Sequence, residues 1–434
     1  MRYTAQGPKS DKCVREYLDI VVGVLRKELP EIKSIILAGG FGRGEGSLER
    51  RGDKLVPVND FEIYLVVESK VSEKRLNEAA NKASGKLGLK KTGVPFHSFS
   101  KEDYADTFYI DLKAFKTEDL GKILPMIRYY ELRNAGAVIW GKDYLARIPE
   151  FKIKDLPLAE GLRVLLNRIA MLSHYFSTDF LRRTISRSEK HGLLYLGGKA
   201  LVDIPTALLL LNDKFKPSYR ERARVFHKCY KDDFKELHSK IPDLPNLAQK
   251  ALDFKLNPDF SIKISPFEIF QEYRIPVGES TKYYVSRLVR KKIDDYPRLA
   301  EIIYHDLWEL YYGPYVGFRF RLKGFWLTAA VYAAMSFLNI LYFYRMWILR
   351  KVFYPKCLLN PRGPDLTIFT SLIYLIYSIQ DDKSIDPKML GKARYYLEKT
   401  YPVKEASHNP EEEWNIISRV LSNAYVLYFF LKIV

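Results

Sequence analysis

Two neighbouring stretches decide the fold: SIILAGGFGRGEGS at residues 34–47 and DFEIYLVV at residues 60–67. The first is a short apolar run followed by glycine at every second position from Gly40 to Gly46. Glycine inside an element costs backbone entropy, so such a run marks a place where something must approach the backbone closely. It is not a Walker loop, because no Lys-Ser or Lys-Thr closes it, and its spacing does not fit G-x-G-x-x-G. It does follow a strand and can open a helix, which turns free backbone N–H groups toward an anion.

The second stretch carries Asp60 and Glu62 two residues apart. On a strand both carboxylates point to one face while Phe61 and Ile63 point to the other. Like charges side by side are costly away from water, and a divalent cation with hard oxygen ligands relieves the repulsion. An isolated pair of this kind suits a solvated edge strand better. A third acid changes the balance: TFYIDLKAF (107–115) sets Asp111 between Ile110 and Leu112 in an otherwise apolar, strand-like run. If that strand lies beside DFEIYLVV, three carboxylates face the glycine turn, the layout required for two-metal phosphoryl transfer.

The surrounding pattern is α+β. Val14, Leu18, Val21 and Leu25 space an amphipathic helix that Pro30 ends. A helix is expected over 71–88 and strands over 93–99 and 107–115. Thr117 is expected to cap a helix reaching residue 135, and AVIWG (137–141) to form a last strand. SLERRGDKLVPVN (47–59) reads as a loop. These elements form a small mixed sheet in a first domain, residues 1–150. Beyond it the texture is helical, with a bundle expected over 151–255 and a C-terminal helical domain over 256–434. FSIKIS (260–265) and YVGFRFRLKG (315–324) are the only ambiguous strand candidates there.

Strand, Gly-Gly, a short glycine-containing helix and then Asp-x-Glu on the next strand resembles the DNA polymerase β-like nucleotidyltransferase superfamily. IDLKAFKTEDLGKILPMIRYYELRNAGAVIWGKD (110–143) resembles that family's third-acid strand, following helix and closing strand. The likeness covers roughly residues 31–145, with a longer interval between Gly40 and Asp60 than the family usually shows. It implies that Gly39 and Gly40 bind a nucleoside triphosphate; Gly42, Arg43 and Gly44 beside them are further candidate nucleotide-binding residues, Arg43 as a phosphate contact. It also implies that Asp60, Glu62 and Asp111 are catalytic and hold two Mg²⁺ ions, Asp111 helping to deprotonate the incoming hydroxyl. The expected activity is transfer of a nucleoside monophosphate to an acceptor hydroxyl with release of pyrophosphate.

The net charge of +18 over 434 residues favours an anionic acceptor, RNA and tRNA in particular. A non-catalytic nucleotide- or RNA-binding module is the alternative from another class. Arg222 and His227 also fit the R-x4-6-H pattern of HEPN ribonucleases, a cheap match in so basic a stretch. Cys13, Cys229 and Cys357 have neither disulfide nor zinc spacing, and the N-terminal MRYTAQGPKSDK has no apolar core, so a cytoplasmic setting is expected. Residues 325–344 form an uncharged run long enough to cross a bilayer. Basic residues at both ends and Thr328, Ser336 and Asn339 within it favour a buried helix, and the alternative is a membrane-associated transferase acting on a small-molecule or protein acceptor.

Overall fold

Val14, Leu18, Val21 and Leu25 form the buried stripe of the first helix, α1 (Pro8–Glu28). Next come β1 (Ile32–Leu37), the single helical turn α2 (Gly39–Gly42), β2 (Leu48–Arg51), β3 (Lys54–Pro57) and β4 (Phe61–Val67). Then follow α3 (Glu73–Leu87), β5 (Lys91–Thr92), β6 (Thr107–Phe108), β7 (Ile110–Lys116), α4 (Ile127–Ala135) and β8 (Ala137–Gly141). This computed structural model describes residues 1–58, 60–89, 91–92, 107–320 and 322–429. The strand expected over 93–99 lies outside them.

The main sheet has the order β7-β4-β1-β8 and is mixed: β4 runs parallel to β7 and antiparallel to β1, and β8 is antiparallel to β1. Alternation divides its residues between two cores. Ile35, Leu37, Ile63, Leu65, Ile110 and Leu112 pack with α1 and α3. Ile36, Tyr64 and Val66 pack on the other face with Leu120, Leu132 and Ile148.

Two expectations fail locally. Residues 47–59 are not a simple loop, because β2 and β3 pair as a hairpin whose turn places Gly52 at φ 60°. The helix expected over 117–135 is broken: a 3-10 turn at Leu120–Lys122 precedes α4, which starts only at Ile127. Pro125 accounts for the break, since it lacks an N–H and disfavours helical backbone at the residue before it.

The remainder is helical: α5 (Leu158–Tyr175), α6 (Arg187–His191), α7 (Gly198–Leu211), α8 (Tyr219–Asp233), α9 (Lys235–Lys240), α10 (Leu244–Leu256) and α11 (Pro266–Val289). They continue with α12 (Tyr296–His305), α13 (Trp308–Phe320), α14 (Gly324–Arg350), α15 (Pro364–Ser378), α16 (Pro387–Leu397) and α17 (Pro410–Phe429). The architecture is thus α+β, a small mixed sheet followed by many helices. Neither ambiguous stretch is a strand: 260–265 is irregular and 315–320 belongs to α13.

The chain divides into two compact units. The first comprises Met1–Pro157, Asn212–Tyr230 and Pro245–Ile262; the second comprises Leu158–Leu211, Lys231–Leu244 and Lys263–Val434. Most of α8 and α10 therefore belongs with the sheet. In the second unit, α15 is buried along its whole length. The helix at 324–350 differs from the expected buried one: only 17% of its apolar window is buried.

Candidate active site

The parallel register of β4 and β7 sets Glu62 directly opposite Asp111 and Tyr64 opposite Lys113. Residues paired in this way project to one face of a sheet. Both acids stand where their strands begin, which is also where antiparallel β1 ends and the glycine turn starts. There the Ala38 N–H donates to the Glu62 carbonyl at 2.8 Å. Asp60 immediately precedes β4 and is partly buried, as are Glu62 and Asp111.

Gly39 has φ 61°, and a Cβ built on it would lie 2.8–3.0 Å from the Glu62 carboxyl group. A side chain there would be strained and would occupy the carboxylate's position. Gly42 has a different reason: its Cβ would fall 2.4 Å from the Leu37 carbonyl oxygen. Gly40 lies inside the α2 turn and Gly44 just after it, at φ 72°. The glycine run thus lets the backbone turn tightly around one acid.

Asp111 is not left to solvent. Lys113 Nζ donates to its Oδ2 at 2.5 Å and lies 5.2 Å from the centre of the Tyr64 ring. Burial pulls the Lys113 ammonium down, but Tyr64, Asp111 and Glu62 together outweigh it, so the group titrates above the ordinary lysine range. Burial pushes the Tyr64 hydroxyl up to about 12.

Arg43, expected beside the triphosphate, lines a small cavity with Gly39 and Glu62 and is held there by two acids. Its side chain is 6% exposed, with Nη1 on Glu131 Oε2 at 2.7 Å and Nε on Glu45 Oε2 at 3.2 Å. Glu131 also receives the Arg222 guanidinium, which is 1% exposed. Glu45 accepts from the N–H groups of Tyr219 (3.1 Å) and Arg220 (2.9 Å) and from the Ser218 hydroxyl (2.8 Å). It therefore caps α8 from across the unit, where a carboxylate also favours the positive end of the helix. Burial raises the Glu45 pKa, but Arg43 and these donors overcome it and hold the carboxyl below its usual range. Ser47 bonds the Lys255 carbonyl, fastening the glycine turn to α10 as well. These contacts explain why α8 and α10 join the first unit. They also dispose of the R-x4-H pattern, because Arg222 is buried in an ion pair while exposed His227 meets Asn246.

One cation at the site was missed from sequence. Arg128, at the start of α4, lines a cavity of about 30 Å³ with Gly39, Glu62, Tyr64 and Glu131. It is exposed and has no carboxylate partner among the described residues. That volume holds about one water, so a nucleotide would lie over the glycine turn rather than within the cavity. No sequence signal distinguishes Arg128, because α4 has no clear amphipathic pattern.

Glu62 and Asp111 fit Mg²⁺: they are paired hard oxygen donors, and this ion takes one or two carboxylates and completes its shell with water and substrate phosphates. Among the described residues, no three His, Cys, Asp or Glu side chains are grouped to hold an ion by themselves. The second unit has a larger cleft of about 850 Å³, lined by Lys240, Lys282, Arg287, Arg290, Lys291 and Lys292. Glu279 pairs with Lys240 and Lys282, Asp306 with Lys291 and Asp294 with Lys292. Arg287 and Arg290 have no carboxylate partner among the described residues. No family model and no curated protein matches the chain.

Proposed function

We propose that the protein is a metal-dependent nucleotidyltransferase that moves a nucleoside monophosphate from a nucleoside triphosphate to an acceptor hydroxyl, releasing pyrophosphate. The observation that carries this reading is the pairing of Glu62 with Asp111 at the glycine turn, with the Glu62 carboxylate occupying the space that Gly39 leaves open. Glu62 and Asp111 would hold Mg²⁺, with water and the substrate phosphates completing its shell. The bound ion would neutralise the triphosphate and favour ionisation of the attacking hydroxyl.

The chain's own groups have defined tasks in this reading. The turn at Gly39 and Gly40 brings backbone against the phosphates, and Gly42 and Gly44 permit its tight course. Arg128 supplies the phosphate contact sought in Arg43, which positions the turn through Glu45 and Glu131. The acceptor oxygen bonds to the α-phosphorus as the bond to the bridging oxygen of the departing pyrophosphate breaks. Asp111 receives the hydroxyl proton. The net charge and the basic cleft of the second unit support RNA as the acceptor, with tRNA the favoured class.

The contact between Lys113 and Asp111 supports a second reading, a nucleotide- or RNA-binding module without turnover, because a lysine already neutralises the third acid. The two readings separate in one experiment. Purified protein is incubated with Mg²⁺, α-labelled nucleoside triphosphates in turn and total RNA, beside an Asp60→Ala/Glu62→Ala variant. The transferase reading predicts label on RNA, reduced on the order of a hundredfold or more in the variant. Metal-dependent triphosphate binding without transfer to RNA, small-molecule or protein acceptors supports the binding module.

A further inference from the structure

α14 presents one long apolar face that no described residue of the second unit covers. Its buried residues, Val331, Met335, Asn339, Tyr342 and Met346, form a single narrow stripe. The opposite side exposes Trp326 (69%), Phe337 (56%), Ile340 (55%), Tyr344 (57%) and Trp347 (48%). Phe353 (65%) and Leu359 (83%) extend that apolar surface past the helix end. A contiguous apolar surface of this extent marks an interaction site.

The charges around it select the occupant. Between Leu310 and Pro364 the sequence holds eight Lys and Arg residues and no Asp or Glu. Lys323 stands at one end of α14, and Arg350, Lys351 and Lys356 stand at the other. A second copy of the chain would bring basic ends against basic ends in either orientation, and Glu309, which accepts from the Thr328 hydroxyl at 3.4 Å beside the Lys323 end, offsets only part of that charge. An anionic lipid surface satisfies both features, taking apolar side chains below the headgroups and lysine and arginine among them. The exposed tryptophans near both ends suit the membrane–water boundary.

We propose that α14 docks the protein on an anionic membrane, lying in the plane of the surface with its exposed face in the lipid. A spanning arrangement conflicts with the packing at the helix midpoint. There Asn339 Nδ2 donates to the carbonyls of Asn360 (2.9 Å) and Arg362 (3.2 Å), on an irregular segment that also carries a partly exposed arginine. Irregular backbone and a charged group facing lipid are not tolerated at the centre of a bilayer. Lying flat, the helix keeps that segment on the aqueous side and offers about 40 Å of length to the interface. This inference does not depend on nucleotidyl transfer.

The test is flotation of the full chain with vesicles of phosphatidylglycerol and phosphatidylcholine, beside vesicles of phosphatidylcholine alone. The protein should float with the anionic vesicles, its tryptophan emission should shift to the blue, and added salt should weaken binding. A Phe337→Glu/Ile340→Glu variant, altered only at exposed positions, should keep its melting curve and bind at least tenfold less. Lys323→Glu/Lys356→Glu should weaken binding to anionic vesicles specifically. Failure to float, or flotation unchanged by the Phe337→Glu/Ile340→Glu variant, overturns the proposal. So does a dimer in solution that the same variant separates, or a chain released from membranes only by detergent.

Discussion

The helical stretch at 187–211 and α14 at 324–350 are nearly matched in sequence terms and opposite in structure. They are 25 and 27 residues long with the same mean hydropathy of 1.5, yet 94% of one apolar window is buried and only 17% of the other. The difference lies in what average hydropathy discards. The first stretch carries Asp203, whose carboxylate takes Arg168 Nε at 2.6 Å, and Gly192, where a Cβ would lie 2.5 Å from the Tyr175 ring. A partnered acid and a ring packed against glycine belong to an interior. α14 has no acid, large aromatic side chains on its outer side and basic residues at its ends, which belong to a boundary. Apolar content alone therefore does not determine where a helix lies.

Matched substitutions give the sharpest test of that contrast. Leu208→Ala in the buried stretch should cost about 2–5 kcal/mol, whereas Phe337→Ala in lipid-free buffer should fall within about 0.5 kcal/mol of the parent. Urea unfolding of both variants measures this, and equal costs would break the comparison. Asp203→Asn comes next: it weakens a partner for a largely buried arginine and should cost about 1–3 kcal/mol. On α14 the corresponding polar anchor is Asn339. Asn339→Leu removes its bonds to two carbonyls and should cost about 1 kcal/mol, more than any substitution on the exposed face.

A smaller, pH-dependent effect is expected in the first unit, where Glu45 caps α8. Its folded pKa lies below that of the unfolded chain, so the unfolded state binds the proton more readily. The stabilisation is complete above the ordinary carboxylate range and disappears as pH falls through the depressed folded value. Thermal melts across that acid range should show Glu45→Gln less dependent on pH than the parent, while Phe337→Ala follows the parent.

The sheet and its acids were legible because their signals are local. Asp111 inside an apolar run led to its strand, now seen parallel to β4 with Glu62 and Asp111 in register, while Asp60 lies just before β4 rather than within it. The role of Arg43 was not legible, since its partner Glu131 lies on another helix. Ser218 and Glu221 have the spacing of a capping box, but the carboxylate on the α8 terminus comes from Glu45, far away in sequence. The exposure of α14 was hidden for the same reason: burial depends on which helices pack against it, and its own residues suit either surrounding.

The most direct measurement of the central claim is calorimetric titration of a nucleoside triphosphate into the protein with and without Mg²⁺, repeated with Glu62→Gln and Gly39→Ala. The account predicts metal-dependent binding that weakens at least tenfold in Glu62→Gln and is impaired in Gly39→Ala, where the new Cβ meets the Glu62 carboxylate. Binding that ignores the metal and both substitutions, or no binding to the parent chain, would contradict it.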